Sequence, residues 1–433
     1  MNCPTVNLKR LKDIAKMSGG YFLPAAINNA LPFLFLPILT RYLMPQDYAN
    51  VSLFVTYVAV ASSLSAPALI AFISNFFFDR PREYVARLIG GSLIVVGIFS
   101  LGILCLVTLL YFVFPSLLGL PLGWLLLVPA TAFTYSLFQV TLGVIRNQKK
   151  VLVFGCHQVA NTLLNFVASV VFVAVLLLGW KGRAFGIMIA NALSAGMSVW
   201  YLARNGLLSL ALDRGMNNAI FRFALTLMAD SSYSLVVSQL GFLLMQYYFG
   251  KELLGVYSVG YNIANAVMIL ATTLNLSLAP FLFERLSAPS SMNRRYIVQV
   301  LYANVVVLLL GGLLVSIFSG AVLRLMTTPA YYPSRQFIPW LAAGLMFVGG
   351  AIFVKPILIK YGQQRYIGFV AIADIALLLV LSYAFAKWFG YQGIAYAFSV
   401  STLTLLLMLL IKVQAVLPLP WLRALLPASE PGA

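Results

Sequence analysis

Charges are scarce in this chain, so each one set inside an apolar run is a candidate for chemistry. Asp230 and Asp374 lie about eight residues inside such runs, roughly 12 Å deep if the runs are helices rising 1.5 Å per residue. A carboxylate at that depth is either paired with a cation or protonated, and either state suits an ion-coupling site. Lys355 sits about a turn from Lys360. Its flexible stem and point charge could hold a moving anionic group, or could snorkel to the membrane surface. For Asp374 a static salt bridge with Lys355 is the competing account. Arg41, at the far end of the first run, could receive the same anion or simply hydrate a loop. Asn28 and Asn29 fall between Pro24 and Pro32. Proline frees backbone carbonyls that need partners or water within lipid, so a bent, amide-bearing helix fits a cavity wall. Asn161, Asn165, Asn262 and Asn265 read as hydrogen bonds between helices equally well.

Other chemistry is poorly supported. Cys3, Cys105 and Cys156 are scattered, and His157 is the only histidine, so neither a metal site nor a disulfide framework is implied. No acidic pair, catalytic triad or phosphate-gripping GxxxxGK[ST] motif occurs, so catalysis and direct ATP hydrolysis are not expected.

The elements that must carry these residues follow from composition. Apolar types make up 62% of the residues and charged types 9%, against roughly 25% charged in a water-soluble domain. A helix of about 20 apolar residues spans the hydrocarbon layer. Twelve such spans are read near 18–40, 48–73, 88–114, 122–145, 154–178, 184–204, 222–249, 253–282, 296–320, 336–359, 366–388 and 391–416. Barrel strands would alternate over about ten residues, whereas Leu101–Leu110 shows no alternation and holds one hydroxyl, Thr108. The connections are too short for an extramembrane module. The first span is too long for a signal peptide and lacks a cleavage pattern, so it is expected to be retained.

Net charge of +18 is explained by topology, because cytoplasmic loops collect Lys and Arg. Counting from residue 1, alternate connections hold 20 of the 28 basic residues and the others hold seven. Among those seven are Arg41, Lys181 and Arg183. Both termini are therefore expected in the cytoplasm. Residues 1–17 place Leu8, Leu11, Ile14 and Ala15 on one face with lysines elsewhere, as in a helix lying in an anionic headgroup layer.

The halves resemble each other at a spacing of about 206 residues. Tyr42–Ser52 lines up with Tyr248–Ser258, and Phe76–Arg80 with Phe281–Arg285. Gly186, Ile187 and Ala190 line up with Gly393, Ile394 and Ala397. Six spans per half make the repeats parallel, an arrangement expected of transporters with a path between bundles. The fold expected is thus an all-α polytopic membrane protein: an interfacial segment at 1–17, six-helix bundles at 18–210 and 211–416 around a central cavity, and a cytoplasmic tail at 417–433.

With its basic start Leu8–Lys16, its proline-bearing first span and the stretch Leu36–Tyr48, the chain resembles the multidrug/oligosaccharidyl-lipid/polysaccharide exporter superfamily. Within it, the chain is most similar to bacterial O-antigen or polysaccharide flippases. Ala49 stands where that family commonly has Gly, although Gly255 fills the place in the second half. The resemblance implies a multi-pass protein of the bacterial inner membrane that turns undecaprenyl-pyrophosphate-linked oligosaccharide from one leaflet to the other by alternating access. It implies no cofactor, Na⁺ or H⁺ as the coupling ions to consider, and lipids and other polysaccharide assembly proteins as partners. Nucleic acid is not expected. On that reading Lys355, Arg41, Asn28 and Asn29 bind substrate, and Asp230 and Asp374 couple an ion. A multidrug/cation antiporter and a membrane O-antigen polymerase are the alternatives. Cation export would favour a cavity dominated by acids, and a polymerase a large external loop.

Overall fold

The computed structural model describes residues 33, 35–113, 118–209, 213–287 and 291–421; side chains are described except at 226–235, 276–277, 279–281, 283–284, 287 and 291. All regular structure among them is helical: α1 Pro45–Ser63, α2 Ala66–Phe76, α3 Arg82–Val113, α4 Leu122–Asn147, α5 Val151–Val170, α6 Gly179–Arg204, α7 Arg214–Ala264, α8 Ala266–Ser287, α9 Ser291–Met326, α10 Ile338–Lys360, α11 Gln364–Phe389 and α12 Gly393–Val416. Short π and 3₁₀ turns occupy Val171–Val175, Pro329–Gln336 and Gly390–Gln392.

Ten stretches among the described residues are long and apolar enough to cross a membrane. Two features reconcile this number with twelve spans. The first span lies mostly outside the described residues, and the seventh and eighth are one continuous apolar stretch, Val236–Asn275. The chain is an all-α polytopic membrane protein, and the twelve-helix arrangement is consistent with these helices.

Burial repeats along the chain as the sequence match does. From Pro45–Phe76 onward, the buried share of the five stretches in the first half runs 61, 17, 61, 22 and 50%. From Val236–Asn275 onward it runs 61, 17, 56, 28 and 50%. The least buried stretch in each half, carried by α3 and α9, is also the most apolar of its half, at mean hydropathy 2.9 and 2.6. Leu101, Leu109 and Phe112 of α3 and Leu310, Ile317 and Phe318 of α9 are exposed. A helix apolar all round and exposed on much of its surface is built to face lipid.

The third sequence match needs correction. Gly393 opens α12 against the carbonyl of Phe385, whereas Gly186 lies two turns inside α6. Gly182 is the geometric counterpart, since it sits in the first turn of α6 against the carbonyl of Phe172. Gly182 and Gly393 lie 211 residues apart, four more than the 207 that separate Gly186 and Gly393, so the register moves by about one turn.

The chain forms two compact units, Met1–Tyr247 and Tyr248–Ala433. In the first, the N-terminal part of α7 packs on its neighbours. Phe221 stacks on Phe99 with ring centroids 5.3 Å apart, Phe223 meets Phe72 at 4.7 Å, and Thr56 donates to Gln239 Oε1 at 2.7 Å. Gly91 of α3 lets Asn217 and Ile220 approach closely. In the second unit α10 packs against α8, α9 and α12, and α11 against α12.

Within α7 the helix is interrupted at Gly250, with φ 82° and ψ −176°. That combination is open essentially to glycine alone. A Cβ there would meet nothing within 4 Å, so the requirement is purely one of backbone. Gly250→Ala is expected to cost about 1–3 kcal/mol in denaturant unfolding of the detergent-solubilised protein, with no change in neighbouring packing. An unchanged midpoint would show that the break is not needed for stability.

Candidate functional site: a polar seam in the first unit

Helices α5 and α6 form an antiparallel hairpin whose turn is fixed by backbone geometry. The π turn Val171–Val175 closes with Leu176 N–H donating to the carbonyl of Val171 at 2.9 Å. Leu178 N–H then donates to the carbonyl of Phe172 at 3.0 Å. Two glycines draw the helices together. A Cβ on Gly182 would lie 2.7 Å from the Phe172 carbonyl oxygen, and one on Gly186 would lie 2.8 Å from the Cα of Ser169. Small residues permit this approach in lipid, where association rests on packing and hydrogen bonds.

Along that contact α5 presents His157, Asn161, Asn165 and Ser169 at intervals of four, close to one helical face and about 18 Å long at 1.5 Å per residue. Each meets a polar group or aromatic ring of α6. At one end the His157 ring stands edge-on to Tyr201, with centroids 5.3 Å apart, and its Nδ1 lies 3.0 Å from the carbonyl of Val153. Tyr201 donates to Gln148 Oε1 at 2.6 Å and accepts from Lys150 Nζ at 3.3 Å. In the middle, the buried Asn161 donates to Ser194 Oγ at 2.9 Å and to Asn191 Oδ1 at 3.4 Å. At the other end Arg183 Nη1 donates to Asn165 Oδ1 and to Ser169 Oγ.

Arg183 is only 8% exposed, and its guanidinium lies over the ring of Phe35, 3.9 Å from the centroid. Phe35 in turn packs on Phe166 at 5.3 Å. Tyr48 of α1 is a further electrostatic neighbour. The direction of the side chain is informative. Gly182 is level with Phe172, and Gly186 with Ser169, so Ser169 lies roughly a turn deeper in the hairpin than the Cα of Arg183. Helical side chains lean toward the N-terminus, which for α6 means toward the turn. Arg183 instead reaches back into the bundle, opposite to snorkelling.

The sequence-derived site residues are placed as follows. Arg41 is exposed at the end of the first helical segment. Lys355 in α10 is half-buried and Asp374 in α11 is 3% exposed; both belong to the second unit, and each interacts with neighbouring groups. Asn28 and Asn29 lie outside the described residues, as does the side chain of Asp230, whose backbone is helical. The seam itself was the missed feature. By sequence Arg183 reads as a loop charge, although the interval of four from His157 to Ser169 is readable.

A separate cavity of about 440 Å³ lies in the second unit, lined by Leu301, Val305, Val354, Leu406 and Leu410 and closed at one edge by Trp421. Trp421 Nε1 donates to Gln414 at 2.8 Å, and Tyr302 donates to the Trp421 carbonyl at 3.2 Å. Its walls suit hydrocarbon and offer a sugar almost nothing. No group of three or more His, Cys, Asp or Glu able to hold a metal occurs among the described residues.

Comparison with known proteins supplies independent findings. The family model described as "Polysaccharide biosynthesis protein" matches residues 17–286. No curated protein matches the chain in sequence. Among solved structures, the chain is similar to an inward-facing multidrug resistance MATE family transporter of the MOP superfamily, with TM-score 0.72 and 16% identity over 90% of this chain and 95% of that one. It is also similar to an outward-facing MATE transporter, with TM-score 0.65 and 17% identity over 93% and 96%. The Vibrio cholerae MATE transporter VcmN in its bent form gives TM-score 0.57 and 16% identity over 94% and 98%. At these identities the likeness shows the fold.

Gly182→Ala places a methyl group against a backbone carbonyl that has little room to move. Overpacking of this kind costs about 1–3 kcal/mol. Unfolding of the purified variant is expected to show that loss, whereas Gly196→Ala in the same helix, where a Cβ meets nothing within 4 Å, should leave stability unchanged or slightly raised. Equal behaviour of the two variants would mean that close approach at Gly182 does not hold the hairpin.

Proposed function

The chain belongs to the polysaccharide biosynthesis protein family, and from that premise we propose that it is a flippase for lipid-linked oligosaccharide. It would turn an undecaprenyl-pyrophosphate-linked unit, of O-antigen or a related polysaccharide, from the cytoplasmic to the outer leaflet of a bacterial inner membrane. Alternating access is the mode, with both termini cytoplasmic. One observation carries the reading: a polysaccharide family match over more than half of a chain that is a multi-pass transporter fold. A polysaccharide pathway needs its lipid-borne sugars moved across the membrane, and a transporter fold performs that step without catalytic groups.

The physical task divides naturally. The sugar and pyrophosphate need hydrogen-bond donors and a cation inside the membrane, because an unpaired charge in hydrocarbon is costly. The prenyl tail can stay in lipid throughout. Amides, hydroxyls and a guanidinium along the α5–α6 seam fit the polar part of this cargo. Lys355 fits a second phosphate contact, as do Arg41, Asn28 and Asn29 on the sequence reading. Asp230 and the buried Asp374 are the groups proposed to couple Na⁺ or H⁺ movement to transport.

A multidrug/cation antiporter is the second reading, prompted by the MATE likeness. A buried guanidinium with no carboxylate partner among the described residues weighs against it, since a cationic amphiphile would be repelled there.

Deletion of the gene in its host should trap labelled lipid-linked repeat units in the cytoplasmic leaflet. Complementation by Lys355→Ala, Asp230→Asn and Asp374→Asn should each fall at least tenfold below the unaltered protein at equal abundance. Units that reach the outer leaflet at the normal rate in the deletion strain, with no backup carrier present, would overturn the flippase reading. Full complementation by all three variants would remove them from the site.

A further inference from the structure

We propose that Arg183 is an oxyanion seat, with its Nε–Nη2 edge offered to a carboxylate or phosphate group of the cargo. The proposal deepens the flippase reading and rests on it for the identity of that cargo. A guanidinium carries five N–H donors in a planar fork. In Arg183 the two on Nη1 are taken by Asn165 and Ser169, both neutral. One face of the plane is covered by Phe35. What remains is the side-on edge, formed by Nε–H and the two N–H groups of Nη2. Nε is fully buried and has no hydrogen-bond partner among the described residues, and among those residues the hydrogen bonds of Arg183 run through Nη1 and leave Nη2 uncommitted. This edge is the one that grips a planar or tetrahedral oxyanion with two parallel hydrogen bonds.

Energetics favour a ligand over a purely structural role. A buried charge left without an opposite partner carries a standing desolvation penalty. A guanidinium that only bridged α5 and α6 would carry this penalty permanently. A neutral amide in its place could satisfy Asn165 and Ser169 without it. The side chain has also turned inward, although its helix lean and its charge both favour the turn. Phe35 and the Nη1 contacts hold it there, which is preorganisation for a partner arriving from inside the bundle. Two sources supply the chemistry: the pyrophosphate of the lipid carrier, or the carboxylate of an acidic sugar in the repeat unit.

The test uses the full-length protein in lipid nanodiscs, with inorganic pyrophosphate and glucuronate as separate probes in equilibrium dialysis. At least one should bind the unaltered protein. Arg183→Gln should weaken that binding at least tenfold, and Arg183→Lys, which keeps the charge and loses the fork, should weaken it several-fold. Pyrophosphate binding alone assigns the seat to the carrier phosphate; glucuronate binding alone assigns it to an acidic sugar. Failure of both probes to bind, or equal binding by unaltered protein and Arg183→Gln, overturns the proposal.

Should Arg183→Gln fail to fold, modification of Arg183 by phenylglyoxal in the unaltered protein is read by mass spectrometry. The bound probe should slow it at least fivefold, and an unchanged rate at saturating probe overturns the seat. The two readings fail separately. A protein that flips lipid-linked oligosaccharide yet binds neither probe loses the seat and keeps its function. One that binds a probe through Arg183 yet leaves the cytoplasmic pool of lipid-linked units unaffected keeps the seat and loses the flippase assignment.

Discussion

Inside a bilayer there is no water to complete a hydrogen bond, so each polar group placed there must find its partner within the protein. That constraint organises the first unit. The seam between α5 and α6 gathers an imidazole, two asparagines, serines and a guanidinium into one contact, where most of their donors and acceptors meet. Apolar surface is left to the exposed face of α3. The two glycines at the head of the hairpin are part of the same solution, since they bring the helices near enough for short side chains to reach across. Among the described residues the rule is broken at Nε of Arg183 and at Nε2 of His157, toward the two ends of the seam.

The burial pattern explains why a duplicated chain is economical for this fold. Each half repeats a strongly buried stretch, a lipid-facing one, a second buried one, a mostly exposed one and a half-buried one. In a soluble protein such alternation would show as amphipathic helices. Here both environments are apolar, and the difference appears in small residues and hydroxyls on buried faces instead. Ser65 against Ser136, Asn161 against Ser194 and Ser399 against the carbonyl of Trp340 are such contacts.

Most of the fold was legible because lipid is a uniform solvent that writes its thickness into the chain as runs of about 20 apolar residues. What escaped was register. Matching one apolar run to another tolerates a slip of one or two turns, so Gly186 was paired with Gly393 when Gly182 holds the corresponding contact. The continuous apolar stretch Val236–Asn275 shows the same limit, since hydropathy does not register the glycine-only backbone at Gly250. For the site, the interval of four from His157 to Ser169 is readable, and so is the charge pair Lys181 and Arg183 at the head of a span. The direction of the Arg183 side chain is not. Whether an arginine near a helix end runs out to water or back into the bundle depends on the neighbouring helix coming close enough to offer Asn165 and Ser169, and on an aromatic ring from another element lying beneath it.

Placement of that cation also bears on how a carrier avoids trapping its cargo. A full complement of donors around a pyrophosphate would bind it too well to release, because each charge-assisted bond in a dry site is strong. Arg183 has already committed two of its five N–H groups to neutral protein acceptors. If Arg183 seats an oxyanion as proposed, its attraction is shared with the hairpin that holds it, and the oxyanion would receive one two-bonded contact rather than a cage. On the proposed reading, a guanidinium that shares its donors with the hairpin would hold a charged glycolipid without trapping it.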